Sequence, residues 1–260
     1  MTLEFTDTHC HLNHEDFDAD REEARDRATA ARVTRLLCIG FDRASSRSAV
    51  ALTGSEGIYA AVGIHPESAE EWGDETAEEM AALHRESAGR VAAWGEIGLD
   101  YHWDTVPRPR QQEVFAAQVA FAQGLAPALP LIIHNREAQE DILAVLRASG
   151  TAAPVVMHCF TGDTEAARVC LDAGCYLGIG GVATFKKSEA VRAAVAYAPL
   201  ERLLLETDCP YLAPQFKRGR RNEPSYLPAV AQTVAIAKGL TVEEVAAATT
   251  ATARSLFGMA

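Results

Sequence analysis

The sequence predicts an α/β protein that forms a single (β/α)8 TIM barrel over residues 1–260, with a metal site at the C-terminal ends of the strands. Short apolar, β-branched runs alternate with longer amphipathic segments, which is typical of parallel βαβ units. Metal-ligand residue types follow several of these runs. A closed ring of strands gathers such residues more easily than the structural alternative, an open doubly wound sheet with one switch point. No linker or repeat marks a second domain.

The strand candidates are short and rich in apolar and β-branched residues. In chain order they are Leu3–Thr8, Arg35–Gly40, Ile58–Gly63, Val91–Gly95, Leu131–His134, Val155–His158, Tyr176–Ile179 and Leu203–Glu206. The helix candidates have the apolar spacing of amphipathic helices. They are Asp16–Ala31, Ala44–Leu52, Glu75–Ser87, Arg108–Gln123, Ala138–Ala148, Thr164–Ala173, Ser188–Ala196, Tyr226–Lys238 and Val242–Leu256. The long segment Cys209–Pro224 after the last strand is expected to be a functional loop.

Composition narrows the class of protein. The net charge of -12 argues against a protein that coats duplex nucleic acid by bulk electrostatics. No apolar run approaches the roughly 20 residues of a membrane span, and no signal peptide is visible. The six cysteines include no Cys-x-x-Cys pair and are interpreted as reduced thiols. We therefore expect a cytoplasmic monomer with no membrane partner and no obligate protein partner.

Histidines and carboxylates follow the apolar runs in a recurring pattern. His9 and His11 alternate at the end of the first run, so in a strand both imidazoles point to one face. Other ligand-type residues end four later runs: Glu96, His134, His158 and Asp208. Any one of them alone is more often a satisfied polar group of the core than a ligand. Five runs with the same ending predict one converging metal site.

Four imidazoles and two carboxylates are enough for two divalent ions. The economical arrangement places His9, His11 and Asp208 on one ion and His134 and His158 on the other. Glu96, which is long and central in the order of strands, then bridges both ions. Mixed imidazole and carboxylate ligation suits Zn, Mn, Co or Fe, while Mg prefers oxygen. Such ions activate water for hydrolysis.

The motifs together resemble the TatD family of metal-dependent deoxyribonucleases, within the amidohydrolase superfamily. The matching stretches are Asp7-Thr8-His9-Cys10-His11, Gly63-Ile64-His65-Pro66, Gly95-Glu96-Ile97-Gly98-Leu99-Asp100, Ile133-His134-Asn135-Arg136, His158-Cys159-Phe160, Glu206-Thr207-Asp208 and Arg221-Asn222-Glu223-Pro224. The resemblance implies a two-metal hydrolase that acts on phosphodiester bonds of single-stranded DNA, typically from the 3′ end. It implies the same six ligands, with Glu96 bridging. The family's association with Mg leaves the ion open among Zn, Mn, Mg, Co and Fe.

Further residues are expected to contact the substrate or take part in the reaction. Asp208, Glu96 and His65 are the predicted catalytic residues, with Asp208 as a proton acceptor as well as a ligand. The predicted substrate-binding residues are His65, Arg136, Asn222 and Arg221. The basic run Lys217, Arg218, Arg220 and Arg221 is either a solvated loop or a phosphate contact. The aromatic residues Tyr101, Trp103, Phe160 and Phe185 follow strands and are expected either to stack on bases or to pack.

Two other functions remain open from the sequence. One is another metal-dependent hydrolase, such as a D-aminoacyl-tRNA deacylase, an amidase or a lactonase, because an activated water serves carbonyl and phosphorus centres alike and fold does not decide substrate. The other is a metal-dependent binding or structural protein without turnover. The intact set of six ligands argues against the second.

Overall fold

Strands and helices alternate along residues 3–103 and 105–260, which the computed structural model describes. The strands are β1 Phe5–Cys10, β2 Val33–Ile39, β3 Ile58–Val62, β4 Val91–Asp100, β5 Leu131–Arg136, β6 Val155–Met157, β7 Tyr176–Ile179 and β8 Leu203–Leu205. The α-helices are α1 Arg21–Ala30, α2 Arg43–Leu52, α3 Asp74–Glu86, α4 Arg108–Gln123, α5 Gln139–Ser149, α6 Thr164–Asp172, α7 Glu189–Tyr197, α8 Leu227–Lys238 and α9 Val242–Phe257. Strand order follows chain order from β1 to β8. The predicted (β/α)8 class is confirmed.

The chain divides into two compact units. The first contains the chain up to Cys38 together with Cys159–Ala260, and the second is Ile39–His158. In the first unit β1 pairs with β2 and β7 with β8, both in parallel. In the second unit β3, β4, β5 and β6 pair in parallel in that order. The prediction of a single domain stays a prediction.

Strand β4 of the second unit is longer than the sequence predicts. We expected it to end at Gly95, before a glycine-rich turn, but it continues to Asp100. Gly98 makes this possible, because its φ of 144° lies in a region that favours glycine and a Cβ there would collide with the backbone of His134 on β5. Glu96 is therefore a strand residue rather than a turn residue.

Helix α1 of the first unit starts later than predicted. The helix pattern from Asp16 is interrupted, and a separate 3-10 turn forms at Glu15–Phe17. Phe17 is fully buried and anchors this turn, while Asp20 takes an extended φ of -151° that interrupts the helix. The α-helix then begins at Arg21. The other predicted helices agree with the structure to within one residue at every end.

Two of the helices have clear local start signals. Asp42 caps α2 through a capping box with Ser45, and Thr241 caps α9 through a capping box with Glu244. Within residues 3–103 and 105–260, none of the helices is both long and apolar enough to cross a membrane. No disulfide joins the cysteines of these same ranges.

Candidate metal centre

The first unit brings three predicted ligands together, His9, His11 and Asp208, which we call the first ligand group. His9 lies on β1, His11 directly follows it, and Asp208 follows β8. The backbone N–H of Asp208 donates to the carbonyl of His9 over 2.8 Å, and the N–H of His11 donates to the carbonyl of Cys209 over 2.8 Å. The first and last strands are thus held in a register that gathers these side chains, all of which are buried.

The donor atoms of the first ligand group have separations suited to a shared ion. The Nε2 atoms of His9 and His11 lie 3.3 Å apart, and Asp208 Oδ1 lies 3.6 and 3.4 Å from them, respectively. Ion–ligand bonds of roughly 2.0–2.2 Å in tetrahedral geometry place ligand atoms roughly 3.3–3.6 Å apart. Two imidazoles and a carboxylate also form a donor set that transition metals favour. The residues therefore fit a divalent ion.

Asp7 fixes the backbone on both sides of the first ligand group. Its buried carboxylate accepts hydrogen bonds from the N–H of Thr207 over 3.0 Å, from the Thr207 hydroxyl over 2.6 Å and from the N–H of His9 over 3.3 Å. Burial raises the pKa of Asp7 to about 7, although these hydrogen bonds oppose the shift. No role was predicted for Asp7 from the sequence. Its alternation with His9 and His11 on one strand face is a pattern that indicates it.

The backbone at Asp208 has an uncommon conformation. Its φ of 56° is left-handed, which aspartate tolerates better than most residues. Such conformations cluster at functional sites. Beyond Asp208, the ring of Tyr211 lies 5.8 Å from the ring of His11, in an edge-to-face arrangement. The segment after β8 thus contacts the first ligand group through a half-exposed aromatic side chain.

The second unit forms its own group from Glu96, His134 and His158, which we call the second ligand group. Glu96 Oε1 lies 2.8 Å from His134 Nδ1 and 2.7 Å from His158 Nε2, and these two nitrogens lie 3.3 Å apart. Glu96 comes from β4, His134 from β5, and His158 directly follows β6. The two histidines of this group therefore converge on one carboxylate oxygen, which belongs to its third predicted ligand, Glu96. The predicted bridging by Glu96 stays a prediction.

Asp100 holds the far side of His134, a role that the sequence analysis did not assign. Its Oδ2 lies 2.9 Å from His134 Nε2. Burial works against charge on both side chains. Their mutual hydrogen bond, together with the backbone N–H groups of His102 and Trp103 at Asp100 and with Glu96 at His134, outweighs it, so the pKa of Asp100 falls to about 2 and that of His134 is raised. Glu96 and Asp100 lie four positions apart on one strand, hence on one face. That spacing is the pattern from which Asp100 is predictable.

Replacement of Asp100 by asparagine should weaken the hold on His134. Loss of a carboxylate that orients a ligand imidazole typically costs 10–100-fold in metal affinity or activity. We expect that range for D100N, measured by metal titration of the purified variant together with its hydrolysis rate. Asp172, an exposed carboxylate paired with Arg168, supplies the matched control D172N. Unchanged metal affinity in D100N would show that Asp100 does not position the ligand.

His65 belongs to the second unit and lies beside its ligand group. Its Nε2 is 3.7 Å from Glu96 Oε1, and its ring is 4.3 Å from that of His134. Burial, and next the neighbouring His134, lower the pKa of His65 to about 3, so the ring is neutral at neutral pH. Its Nδ1 accepts the backbone N–H of Glu67 over 3.1 Å. A neutral ring that accepts at Nδ1 carries its hydrogen on Nε2, so His65 presents a donor there.

Two of the residues predicted to contact substrate, Arg136 and Asn222, differ in their exposure to solvent. Arg136 is exposed, and its guanidinium lies 5.4 Å from the centroid of the half-exposed Trp103 ring. Asn222, in contrast, is fully buried, and its Nδ2 donates to the carbonyls of Thr207 and Tyr211, each over 2.7 Å. The structure therefore places Asn222 as a clamp across the base of the loop after β8. Its predicted contact with substrate stays a prediction.

Arg221 is also engaged within the protein. Its guanidinium makes a two-pronged pair with Asp20, over 2.6 and 2.7 Å, and Asp20 also accepts from Arg27 over 2.8 Å. Arg27 in turn pairs with Glu223 over 2.7 Å. These four side chains fix helix α1 to the segment before α8. The predicted role of Arg221 in substrate binding stays a prediction, since the structure shows its guanidinium in contacts with Asp20 and the carbonyl of Asp16.

The Arg221 network makes a pH-dependent contribution to stability. Hydrogen bonds from Arg221, and then from Arg27, hold the pKa of Asp20 well below its usual 3.8. A lowered carboxyl pKa stabilises the fold above that usual value and loses this effect as pH falls through the lowered pKa. R221Q should therefore lose roughly 1 kcal/mol of unfolding free energy at pH 7 and progressively less as the pH falls below 3.8. Urea unfolding at both ends of this range tests it; an equal loss throughout would contradict the ion-pair explanation.

The predicted stacking residues fall into distinct environments. Phe160 is buried, and the hydroxyl of Tyr101 donates to Asp141 over 2.6 Å, so both serve the fold. Trp103 keeps about half of its surface exposed. The guanidinium of Arg218 lies 4.6 Å from the centroid of the Phe185 ring. Packing therefore accounts for two of the four aromatic residues.

A (β/α)8 fold with histidine–carboxylate groups on its strands and on the residues that directly follow them is typical of metal-dependent hydrolases. The family model "TatD related DNase" matches residues 6–258. A Bacillus subtilis protein named uncharacterized metal-dependent hydrolase YabD is 46% identical over 254 residues, covering 96% of this chain and 98% of its own length. The chain belongs to the TatD-related DNase family.

Two further comparisons agree with this family. A Pantoea ananatis protein named 3′-5′ ssDNA/RNA exonuclease TatD is 39% identical over 251 residues, which cover 94% of this chain and 95% of that protein. The crystal structure of YjjV, a TatD homologue from Escherichia coli K12, matches with a TM-score of 0.92 and 30% identity, covering 100% of both chains. The family resemblance predicted from the sequence motifs is confirmed.

Proposed function

We propose that this metal-dependent hydrolase is a nuclease that cleaves phosphodiester bonds of single-stranded DNA from the 3′ end. The observation that carries the proposal is the pair of ligand groups, each combining imidazole nitrogens with a buried carboxylate oxygen. The name of the Pantoea ananatis relative, a 3′-5′ ssDNA/RNA exonuclease, supports this choice of substrate.

Each ligand group has the residues to hold one divalent ion. His9, His11 and Asp208 would hold the first, and Glu96, His134 and His158 the second. Such ions lower the pKa of water and take up charge on phosphate oxygens. The choice among Zn, Mn, Mg, Co and Fe is left to measurement.

The remaining chemistry belongs to side chains of this protein. We infer that Asp208 accepts the proton that the attacking water loses, because its carboxylate lies in the first ligand group and retains limited access to solvent. His65 donates a hydrogen bond from Nε2 to a phosphate oxygen or to the leaving oxygen. Arg136 contributes a positive charge from an exposed position on β5.

A labelled oligonucleotide assay tests the proposed function. Protein stripped of metal by chelation should release no product, and anaerobic addition of one ion at a time should restore stepwise release of nucleotides from the 3′ end of a 5′-labelled single strand. A duplex of the same sequence serves as a comparison. The proposal is overturned if no ion supports hydrolysis of DNA, most clearly if a D-aminoacyl-tRNA, an amide or a lactone is hydrolysed instead.

The proposal extends to where the protein works and with what. We propose a cytoplasmic monomer whose macromolecular partner is its nucleic-acid substrate. Cell fractionation tests the proposed location, and sedimentation of the purified protein tests the proposed monomeric state. Fractionation with membranes, or a stable dimer at micromolar concentration, would revise this part of the proposal alone.

A further inference from the structure

A cavity of about 630 Å³ lies in the segment between β8 and α8 of the first unit. Its lining consists of Phe216, Lys217, Arg218, Arg220, Arg221, Glu223 and Tyr226. We call it the basic pocket. None of the six predicted metal ligands lines it. It is therefore distinct from the ligand groups, although it lies further along the same loop as Asp208.

The cationic side chains of the basic pocket differ in whether they form an ion pair with a carboxylate. Arg221 is paired with Asp20, and the one acidic residue of the lining, Glu223, is paired with Arg27. Across the part of the chain that the structure describes, Lys217, Arg218 and Arg220 form no ion pair with a carboxylate. Three positive charges thus remain available in a protein of net charge -12. This arrangement suits an anionic ligand.

Aromatic faces accompany the available cations. Phe216 is 62% exposed, and its ring lies 5.4 Å from that of Tyr226 in an edge-to-face arrangement. The Nζ atom of Lys217 is 5.9 Å from the Phe216 centroid and 5.5 Å from the Tyr226 centroid. An exposed phenylalanine next to unpaired cations is the combination on which single-stranded nucleic acids bind, with bases on rings and phosphates on cations.

The loop that carries the basic pocket is anchored to the first ligand group. Asn222 joins the two arms of the loop by its hydrogen bonds to the carbonyls of Thr207 and Tyr211. Thr207 precedes the ligand Asp208, and the ring of Tyr211 contacts that of His11. A strand bound in the pocket would therefore be held by the same loop that carries a predicted ligand of the metal centre.

We propose that the basic pocket binds one nucleotide of an unpaired strand, with the phosphate on Lys217, Arg218 and Arg220 and the base against Phe216. The nucleotide is separate from the one being released, so the pocket is an anchor that favours longer substrates over short ones. This inference rests on the proposed function, because it takes nucleic acid as the substrate. Within the basic run, the proposal assigns phosphate contact to Lys217, Arg218 and Arg220. Arg221 is left with its pairing to Asp20.

Binding of a phosphorothioate-linked decathymidylate to the intact metal-loaded enzyme, followed by fluorescence anisotropy at several salt concentrations, tests the anchor. The variant R218Q/R220Q should lower the slope of log affinity against log salt by about 1.4, since each charge contributes about 0.7 on a single strand. The matched control is R85Q/R147Q, which removes two exposed arginines from the second unit and should leave the slope unchanged. F216A should weaken binding about tenfold, and F216W should restore it.

Hydrolysis of a minimal diester, bis(4-nitrophenyl) phosphate, separates the two proposals. This compound is too short to reach an anchor, so the pocket variants should hydrolyse it at the wild-type rate while losing their preference for long oligonucleotides. Pocket variants that bind the decathymidylate like the control would overturn the anchor and leave the proposed function standing. A wild-type enzyme that hydrolyses neither the diester nor DNA would overturn the proposed function, and the binding measurement would still decide whether the pocket holds an unpaired strand.

Discussion

Replacement of Asp208 by asparagine is expected to reduce hydrolysis by about 10³-fold or more while the protein stays folded. The side chain supplies the only carboxylate of the first ligand group, and we propose that it also accepts the proton from water. Asparagine is the suitable replacement because, like aspartate, it tolerates the left-handed φ of 56° at this position. The backbone hydrogen bond to His9 is retained as well. Any loss in D208N then reports on chemistry rather than on folding.

Three measurements decide the result for D208N: the turnover rate at saturating metal, the metal content after anaerobic dialysis, and circular dichroism. We expect normal circular dichroism and about one ion fewer per chain. The matched control is D26N, which neutralises an exposed carboxylate on α1 and should change none of the three. Full turnover in D208N at saturating metal would mean that the first ligand group is not where the reaction occurs.

Replacement of Glu96 by glutamine should have a comparable effect on the second ligand group. One oxygen of Glu96 faces two imidazole nitrogens at 2.7 and 2.8 Å, so the amide removes the negative charge that faces them. We expect hydrolysis to fall by about 10²–10³-fold, in the range seen when a key electrostatic group is removed. The second ion should bind more weakly as well.

E96Q has a second readout that does not depend on activity. Glu96 is one of the groups that raise the pKa of His134, so in the metal-free protein that pKa should fall when the charge is removed. Histidine titration followed by NMR measures it directly. E86Q, on the exposed end of α3, is the control and should leave His134 unchanged. An unaltered His134 pKa in E96Q would show that the two side chains are not coupled.

The fold class could be predicted from the sequence because two patterns are strong: the short apolar runs of the strands and the apolar spacing of the amphipathic helices. Strand runs such as Ile58–Val62 and residues 131–133 are apolar and lie between amphipathic segments, so their order alone predicts βαβ units. The first and last residues of the helices and strands were harder to predict. Helix α1 starts late because the burial of Phe17 creates a separate turn, and no periodicity within residues 16–31 announces this.

The candidate site was predictable where residues end apolar runs and unpredictable where they act through a neighbour. The sequence does not show that Asn222 and Arg221 form hydrogen bonds within the protein, because their partners are not adjacent to them along the chain. Asn222 donates to the carbonyl of Thr207, and Arg221 donates to Asp20. Asp7 and Asp100 were missed for a different reason. Each supports a ligand rather than being one, and an alternating carboxylate in a strand is often only a core polar group.

The first ligand group draws its members from the first and the last strand of the barrel, and this has a consequence for synthesis. His9 and His11 emerge from the ribosome long before Asp208, which follows β8. A nascent chain therefore holds two histidines with no carboxylate to complete the group. We expect the first ligand group to bind no ion until β8 and Asp208 have been made, so that the growing chain would gain hydrolytic activity only after that point.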